Sequence, residues 1–171
     1  MRKPLLLRGA RQVGKSSAVR HLGKQFKYFA EINFERHKAV KSFFQGDIDV
    51  HLIAQKISSY IQVPVEKGNT LLFLDEIQEC PEAIMALRFF KEDYPELHVI
   101  AAGSLLEFTL ENLPTFGVGR IHSLFMYPLT FDEFLVANGQ QGLMQMREMA
   151  DFMHPLDTAF HDKLIESFRI Y

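Results

Sequence analysis

An α/β fold built on a parallel sheet is the expectation for this 171-residue chain, and three observations carry it. Short apolar runs alternate with segments of helical periodicity, as parallel strands joined by crossover helices require. A glycine-punctuated stretch, Gly9 to Ser16, separates the first apolar run from the first helix-compatible segment. Further on, Thr70-Leu71-Leu72-Phe73-Leu74 runs into the acids Asp75 and Glu76, and ligands of open parallel sheets collect at that carboxyl edge.

Residues 4–8 form the first strand, and Ser16 to Gly23 the helix after it. Tyr28 to Phe34 alternates enough to be a second strand. From Asp47, an N-cap residue type, Ile53, Ile57, Tyr60 and Ile61 recur at helical spacing and stop before Pro64. Lys67-Gly68-Asn69 turns the chain into the acid-ended strand. Pro81 suits a first helical turn, and Ile84, Leu87 and Phe90 form the core stripe of a helix ending before Pro95. Leu97 to Ser104 is another apolar strand, ending in a small hydroxyl residue, and Ile121 to Tyr127 is the last. Thr130-Phe131-Asp132-Glu133 is a capping box, which accounts for its two acids without chemistry. Met146, Met149, Phe152 and Met153, then Leu156, Phe160, Leu164 and Phe168 beyond Pro155, describe two amphipathic helices whose apolar faces need a partner.

Composition fits a soluble globular chain: 47% hydrophobic, 23% charged, with no apolar run approaching a membrane span and no apolar segment of the secretory kind behind the basic N-terminus. The cytoplasm is the expected compartment, with no membrane partner. Cys80 is the single cysteine, so no intrachain disulfide forms, and it reads as a packing residue. The seven histidines lack the paired spacings of zinc sites, and no structural metal is expected. The net charge of −2 hides an asymmetry, because residues 1–30 carry eight Lys or Arg and no acid. Arg20, Lys24 and Lys27 fit the solvated side of the first helix; the competing reading is a nucleic-acid surface, which no helix-turn-helix, RNA-recognition or zinc-finger pattern supports.

Gly9 to Ser16 reads Gly-Ala-Arg-Gln-Val-Gly-Lys-Ser, the phosphate-loop pattern G-x-x-x-x-G-K-[ST], directly between strand and helix. Successive backbone N–H groups must curl around phosphate oxygens, which glycines at the tight places permit, while the following helix aims its positive N-terminus at the anion. The nucleotide-binding candidates are therefore Gly9, Ala10, Arg11, Gln12, Val13, Gly14, Lys15, Ser16 and Ser17. Lys15 would reach the β and γ phosphates, and the Ser16 hydroxyl would ligate Mg²⁺. Asp75 would complete the Mg²⁺ shell, and Glu76 would orient or deprotonate an attacking water. Ser104 falls beside the γ-phosphate if its strand lies between the phosphate-loop strand and the Asp75 strand. Arg120 follows Gly117-Val118-Gly119, so a loop could carry its guanidinium to a phosphate, whereas a strand-start ion pair explains it as well. Arg11, at the crest of the phosphate loop, is open in the same way.

The ordered set is more specific than any single motif. Leu-Leu-Leu-Arg-Gly-Ala-Arg-Gln-Val-Gly-Lys-Ser at 5–16, Asn33-Phe34-Glu35, Leu-Asp-Glu-Ile-Gln at 74–78, Ala-Gly-Ser at 102–104, Val-Gly-Arg at 118–120 and Tyr-Pro-Leu-Thr-Phe-Asp-Glu-Phe-Leu at 127–135 together resemble the prokaryotic AAA+ ATPases that usually carry an additional C-terminal DUF4143 domain. The resemblance implies a P-loop NTPase core, a three-layer α/β/α fold of the additional-strand type with parallel order 5-1-4-3-2. It implies ATP as the nucleotide, Ser104 at the sensor-1 position, and an arginine such as Arg120 contacting nucleotide in cis or across an interface of a homo-oligomer. Such ATPases also have a helical segment before the phosphate-loop strand and continue into a lid and then the C-terminal domain. A truncated core is therefore expected, with residues 1–138 the ATPase and 139–171 the start of a lid or connection; the methionine-rich stripe is then either packed core or a surface the lid or C-terminal domain would cover, with self-association as the substitute. The functional expectation is ATP binding and Mg²⁺-dependent hydrolysis, weak in the isolated chain, driving or switching a partner region. A DNA-binding module with a basic N-terminal face and vestigial nucleotide binding is the alternative. A small-molecule phosphotransferase suits the sequence less, since no acceptor-binding segment is apparent.

Overall fold

The computed structural model describes residues 2–104 and 119–171, in two compact units, Met1–Tyr127 and Pro128–Tyr171. Gly117 and Val118, the loop ahead of Arg120, lie outside the described residues.

The first unit is organised by a five-stranded sheet of β1 (Leu5–Arg8), β2 (Tyr28–Asn33), β3 (Thr70–Asp75), β4 (His98–Ala102) and β5 (His122–Phe125). Its order is β2-β3-β4-β1-β5 with every pairing parallel, which is the expected 5-1-4-3-2 read from the other edge. Register brings the strand ends level: Asn33 lies opposite Asp75, Leu74 opposite Ala101, and Leu7 opposite Ala102. The carboxyl ends of β1 to β4 therefore share one edge. Because side chains alternate along a strand, the same residues build two cores. Leu6, Leu72, Leu74, Val99 and Ala101 face one way, against α2 (Val50–Ile61) and α3 (Pro81–Asp93); Leu7, Leu71, Phe73, Ile100 and Ala102 face the other, against Val19 of α1 (Lys15–Gly23). This gives the three layers, and it explains why β3 reads as an unbroken apolar run: both its faces are covered.

The helices begin and end for local reasons. Helix α2 is capped by Asp49, whose Oδ1 accepts the N–H groups of His51 and Leu52; Asp47 was the expected cap, and the two-residue shift places Val50 and Ile53 in the core. Tyr60, expected on the core stripe, is instead about half exposed beside Phe43 and His37. Gly23 closes α1 where a Cβ would sit 2.5 Å from the Phe29 ring, so glycine is what lets the helix end pack against β2. A 3₁₀ helix over Lys38–Phe44, which the sequence pattern did not suggest, delivers Val40 and Phe44 to the larger core.

In the second unit, α4 (Phe131–Ala137) starts with the expected capping box, Thr130 Oγ1 accepting from Glu133 N–H while the Glu133 carboxylate accepts from Thr130 N–H. Helix α5 (Gln141–Met149) ends before the expected stripe does. Asp151 Oδ1 accepts the N–H groups of Met153 and His154, a local turn that competes with helix, and Phe152 and Met153 are left exposed. Helix α6 (Thr158–Ile170) buries Leu164 and sets Phe168 edge-on to Phe131. No helix among the described residues is long and apolar enough to cross a membrane.

Candidate functional site

Strand β1 ends at Arg8, and the chain loops through Gly9–Gly14 before α1 begins at Lys15. Gly9, Gln12 and Gly14 take positive φ values of 141°, 63° and 94°. A Cβ on Gly9 would run into the carbonyl oxygen of Met126, whose own N–H donates to Arg8 O at 2.8 Å, so only glycine starts the loop this close to the end of β5. Gln12 is a non-glycine residue in the left-handed region, a strain of roughly 1 kcal/mol at a position that faces the loop's concave side. Helix α1 has no side-chain cap and no acid in its first turn, which leaves its positive end available to an anion.

These features border an open cavity of about 350 Å³, lined by Arg11, Gln12, Gly14, Lys15, Ser16, Ser17, Glu35, Glu76 and Ser104. Lys15 is buried, and its Nζ donates to the carbonyls of Gly9 (2.9 Å) and Ala10 (2.6 Å). Burial pulls the ammonium below its ordinary range, and the Glu76 and Asp75 carboxylates partly restore it. Ser16 Oγ lies 3.0 Å from both oxygens of Asp75, a residue only 3% exposed. Burial pushes the Asp75 carboxyl up, while hydrogen bonds from Ser16 and from Asn33 Nδ2 (3.3 Å) oppose it. Asn33 is itself oriented, because its Oδ1 accepts the N–H groups of Glu35 and Arg36 at 3.1 Å. Glu76 sits just past β3 with φ of 51° and accepts a 2.6 Å hydrogen bond from Gln78 Nε2. Ser104 is buried at the end of β4, between β1 and β3, and its Oγ accepts from Arg11 Nε at 3.4 Å.

The donor set fits the groups the motifs call for. Ser16 and Asp75 present a hydroxyl and a carboxylate at one point, an all-oxygen pair of the kind Mg²⁺ takes, and two left-handed glycines leave the loop backbone open to phosphate oxygens.

Arg120 stands elsewhere in its own chain. Its Nε lies 2.7 Å from Glu92 Oε1, and it precedes β5, whose first residue His122 pairs with Leu5 at the starting edge of the sheet. The phosphate loop leaves the opposite edge, so the strand-start ion pair is what the structure contains. Arg20, expected on a solvated face, reaches the site's support: its guanidinium binds Glu31 of β2 at 2.6 Å and comes within 4.0 Å of Asp75. Among the basic N-terminal residues, Arg2 bonds His98 at the starting edge while Arg11 and Lys15 stand at the carboxyl edge. The network of Arg20, Glu31 and Asn33 around Asp75 follows from register, since Glu31 and Asn33 share one face of a strand paired so that Asn33 lies opposite Asp75.

The sequence pattern of the AAA domain family matches residues 1–135. No curated protein matches the chain. Among solved structures, that of the Drosophila ORC bound to DNA aligns with a TM-score of 0.53 and 14% identity, over 85% of this chain and 42% of that one. At that identity the likeness speaks for the fold, and this chain spans well under half of its neighbour's length. With the family pattern covering β1 through α4, the loop, the strand order and the cavity all on the same residues, the chain belongs to the AAA domain family of P-loop nucleotide-binding proteins.

Proposed function

We propose that the chain binds ATP with Mg²⁺ and hydrolyses it, and that the cycle switches a partner region such as a C-terminal domain of the DUF4143 kind or a neighbouring copy. The observation that supports this most is convergence: Lys15, Ser16, Asp75, Glu76 and Ser104 leave three different strand ends and meet around one cavity. Adenine as the base rests on family membership, because the loop residues address phosphate.

Each residue has one task in this reading. Lys15 exchanges its two loop carbonyls for β- and γ-phosphate oxygens, which are stronger acceptors for an ammonium. Ser16 and Asp75 hold the metal, so Asp75 must be ionised for the site to load. Bound there, Mg²⁺ would screen the phosphate charge that builds up during transfer. Glu76, fixed by Gln78, orients the attacking water and takes its proton. The Ser104 hydroxyl donates toward the terminal phosphate.

Calorimetric titration of ATP with and without Mg²⁺ tests the reading, with Lys15→Ala as the control. The parent should bind more tightly with Mg²⁺, and the variant should lose roughly tenfold or more in affinity, the scale of one charged hydrogen-bonding group. Unchanged affinity in a folded Lys15→Ala chain would remove the phosphate-loop assignment.

A further inference from the structure

Two charged residues at the cavity have no role in the scheme above: Arg11 and Glu35. Arg11 stands on the loop crest, and its guanidinium spans the cavity mouth to two other strand ends. Its Nε donates to Ser104 Oγ, which follows β4, at 3.4 Å, and its terminal nitrogen lies 3.8 Å from Glu35 Oε1, which follows β2. Both side chains are half or more exposed, 69% and 50%, so this ion pair is screened, weak and easily exchanged. The charges around it are matched only while the cavity is empty. Among the described lining residues Arg11 and Lys15 are the cations and Glu35 and Glu76 the anions, while Asp75 behind the wall has the Arg20 guanidinium within 4.0 Å. A diphosphate would be met by Lys15 and the metal; a third phosphate adds negative charge beside the Glu35 and Glu76 carboxylates, and Arg11 is the remaining cation among the described lining residues. Arg120 is committed to Glu92 at the other edge of the sheet.

On the nucleotide-binding reading just given, we infer that Arg11 and Glu35 form a terminal-phosphate discriminator. With a nucleoside diphosphate, or none, Arg11 rests on Glu35 and Ser104. With a nucleoside triphosphate the guanidinium exchanges the Glu35 carboxylate for the terminal phosphate, a better acceptor held deeper in the cavity. Glu35 competes for the same guanidinium and so sets how strongly triphosphate is preferred. The exchange also frees Ser104 Oγ from Arg11 Nε to face the same phosphate. Since Glu35 is tied through its N–H to Asn33 at the end of β2, the released carboxylate reports the nucleotide state at that strand end.

The test measures Mg·ATP and Mg·ADP affinities by calorimetry for the parent, Arg11→Ala, Arg11→Lys, Glu35→Gln and the Arg11→Ala/Glu35→Gln pair, with circular dichroism to show that each is folded. Arg11→Ala should weaken ATP by roughly ten- to a hundredfold and leave ADP within about threefold, the scale of a charge-assisted contact made to one phosphate only. Arg11→Lys should recover part of the ATP affinity. Glu35→Gln should strengthen ATP a few-fold, and that gain should vanish in the double variant. Equal losses for ATP and ADP in Arg11→Ala would make Arg11 a part of the general cradle and overturn the proposal, as would a Glu35→Gln gain that persists without Arg11. A parent that binds neither nucleotide would instead bring down the nucleotide-binding reading on which the proposal stands.

Discussion

Asp75 is buried against the Ser16 hydroxyl, and burial disfavours the charge that the proposed metal would need. Its carboxyl is raised above 3.8 in the folded chain, mainly by desolvation, so the folded state holds the proton more tightly than the unfolded state. The sign follows: its contribution to stability is fully present below the unfolded value and is lost as pH rises through the folded pKa. Asp75→Asn should therefore raise the thermal midpoint of the nucleotide-free chain at neutral pH, with the advantage shrinking toward pH 4, while Mg²⁺ no longer strengthens ATP binding. A variant less stable than the parent at pH 7 would show that the Ser16 and Asn33 hydrogen bonds outweigh desolvation. Glu76 lies one residue further on and carries a different demand on the proposed reading, in which it takes the proton of the attacking water. Glu76→Gln should keep Mg·ATP affinity and lower steady-state turnover by roughly a hundredfold or more, the contribution of a general base. Equal turnover would place the base on another group. Lys15, Ser16, Asp75 and Glu76 were legible because motif and strand-end position are both written in sequence. Arg20, Glu31 and the orientation of Asn33 depend on which strand lies beside β3, and Arg120 stayed open between a phosphate contact and an ion pair because neighbouring glycines say nothing about which edge of a sheet a residue occupies.

At the scale of elements, the phosphate loop is shaped by a strand more than a hundred residues away. Met126, just beyond β5, passes so close to Gly9 that no side chain fits, and Met126 Cε also lies 3.4 Å from where a Gly14 Cβ would be. Gly9→Ala should thus disturb the β1–β5 pairing as well as the loop, lowering both the thermal midpoint and ATP affinity; loss of affinity with unchanged stability would mean that the loop alone absorbs the clash. The strands were readable from apolar runs, and the order of the sheet followed the family resemblance, because runs alone do not say which strands are neighbours. Helix starts were less legible. Asp47 and Asp49 are the same residue type two positions apart, and only the packing of Val50, Ile53 and Ile57 selects Asp49. Asp49→Ala should cost about 1 kcal/mol in denaturant unfolding and Asp47→Ala within about 0.5 kcal/mol, the scales of a lost N-cap and of a surface substitution. Equal costs would mean that the Asp49 cap adds nothing.

For the whole molecule, the two units differ in what holds them. In Met1–Tyr127 every residue of β3 is buried and helices cover both faces of the sheet, whereas in Pro128–Tyr171 the buried residues are Leu135, Leu164 and Ser167, helped by a cluster of Phe131, Phe134, Phe168 and Tyr171. A unit of about forty residues buries too little surface to be robust by its core alone. All the residues around the cavity belong to the first unit, so nucleotide binding adds stability there by mass action, about 2.7 kcal/mol at a hundredfold excess over the dissociation constant. Hydrogen exchange under mild denaturant separates these effects residue by residue. Amides of 128–171 should exchange at lower denaturant than those of β3 and β4, and saturating Mg·ATP should raise protection along β1, β3 and β4 while leaving α6 unchanged. If α6 gains the same protection as β3, the two units unfold as one body, and the energy of nucleotide binding reaches the C-terminal helices through the fold itself.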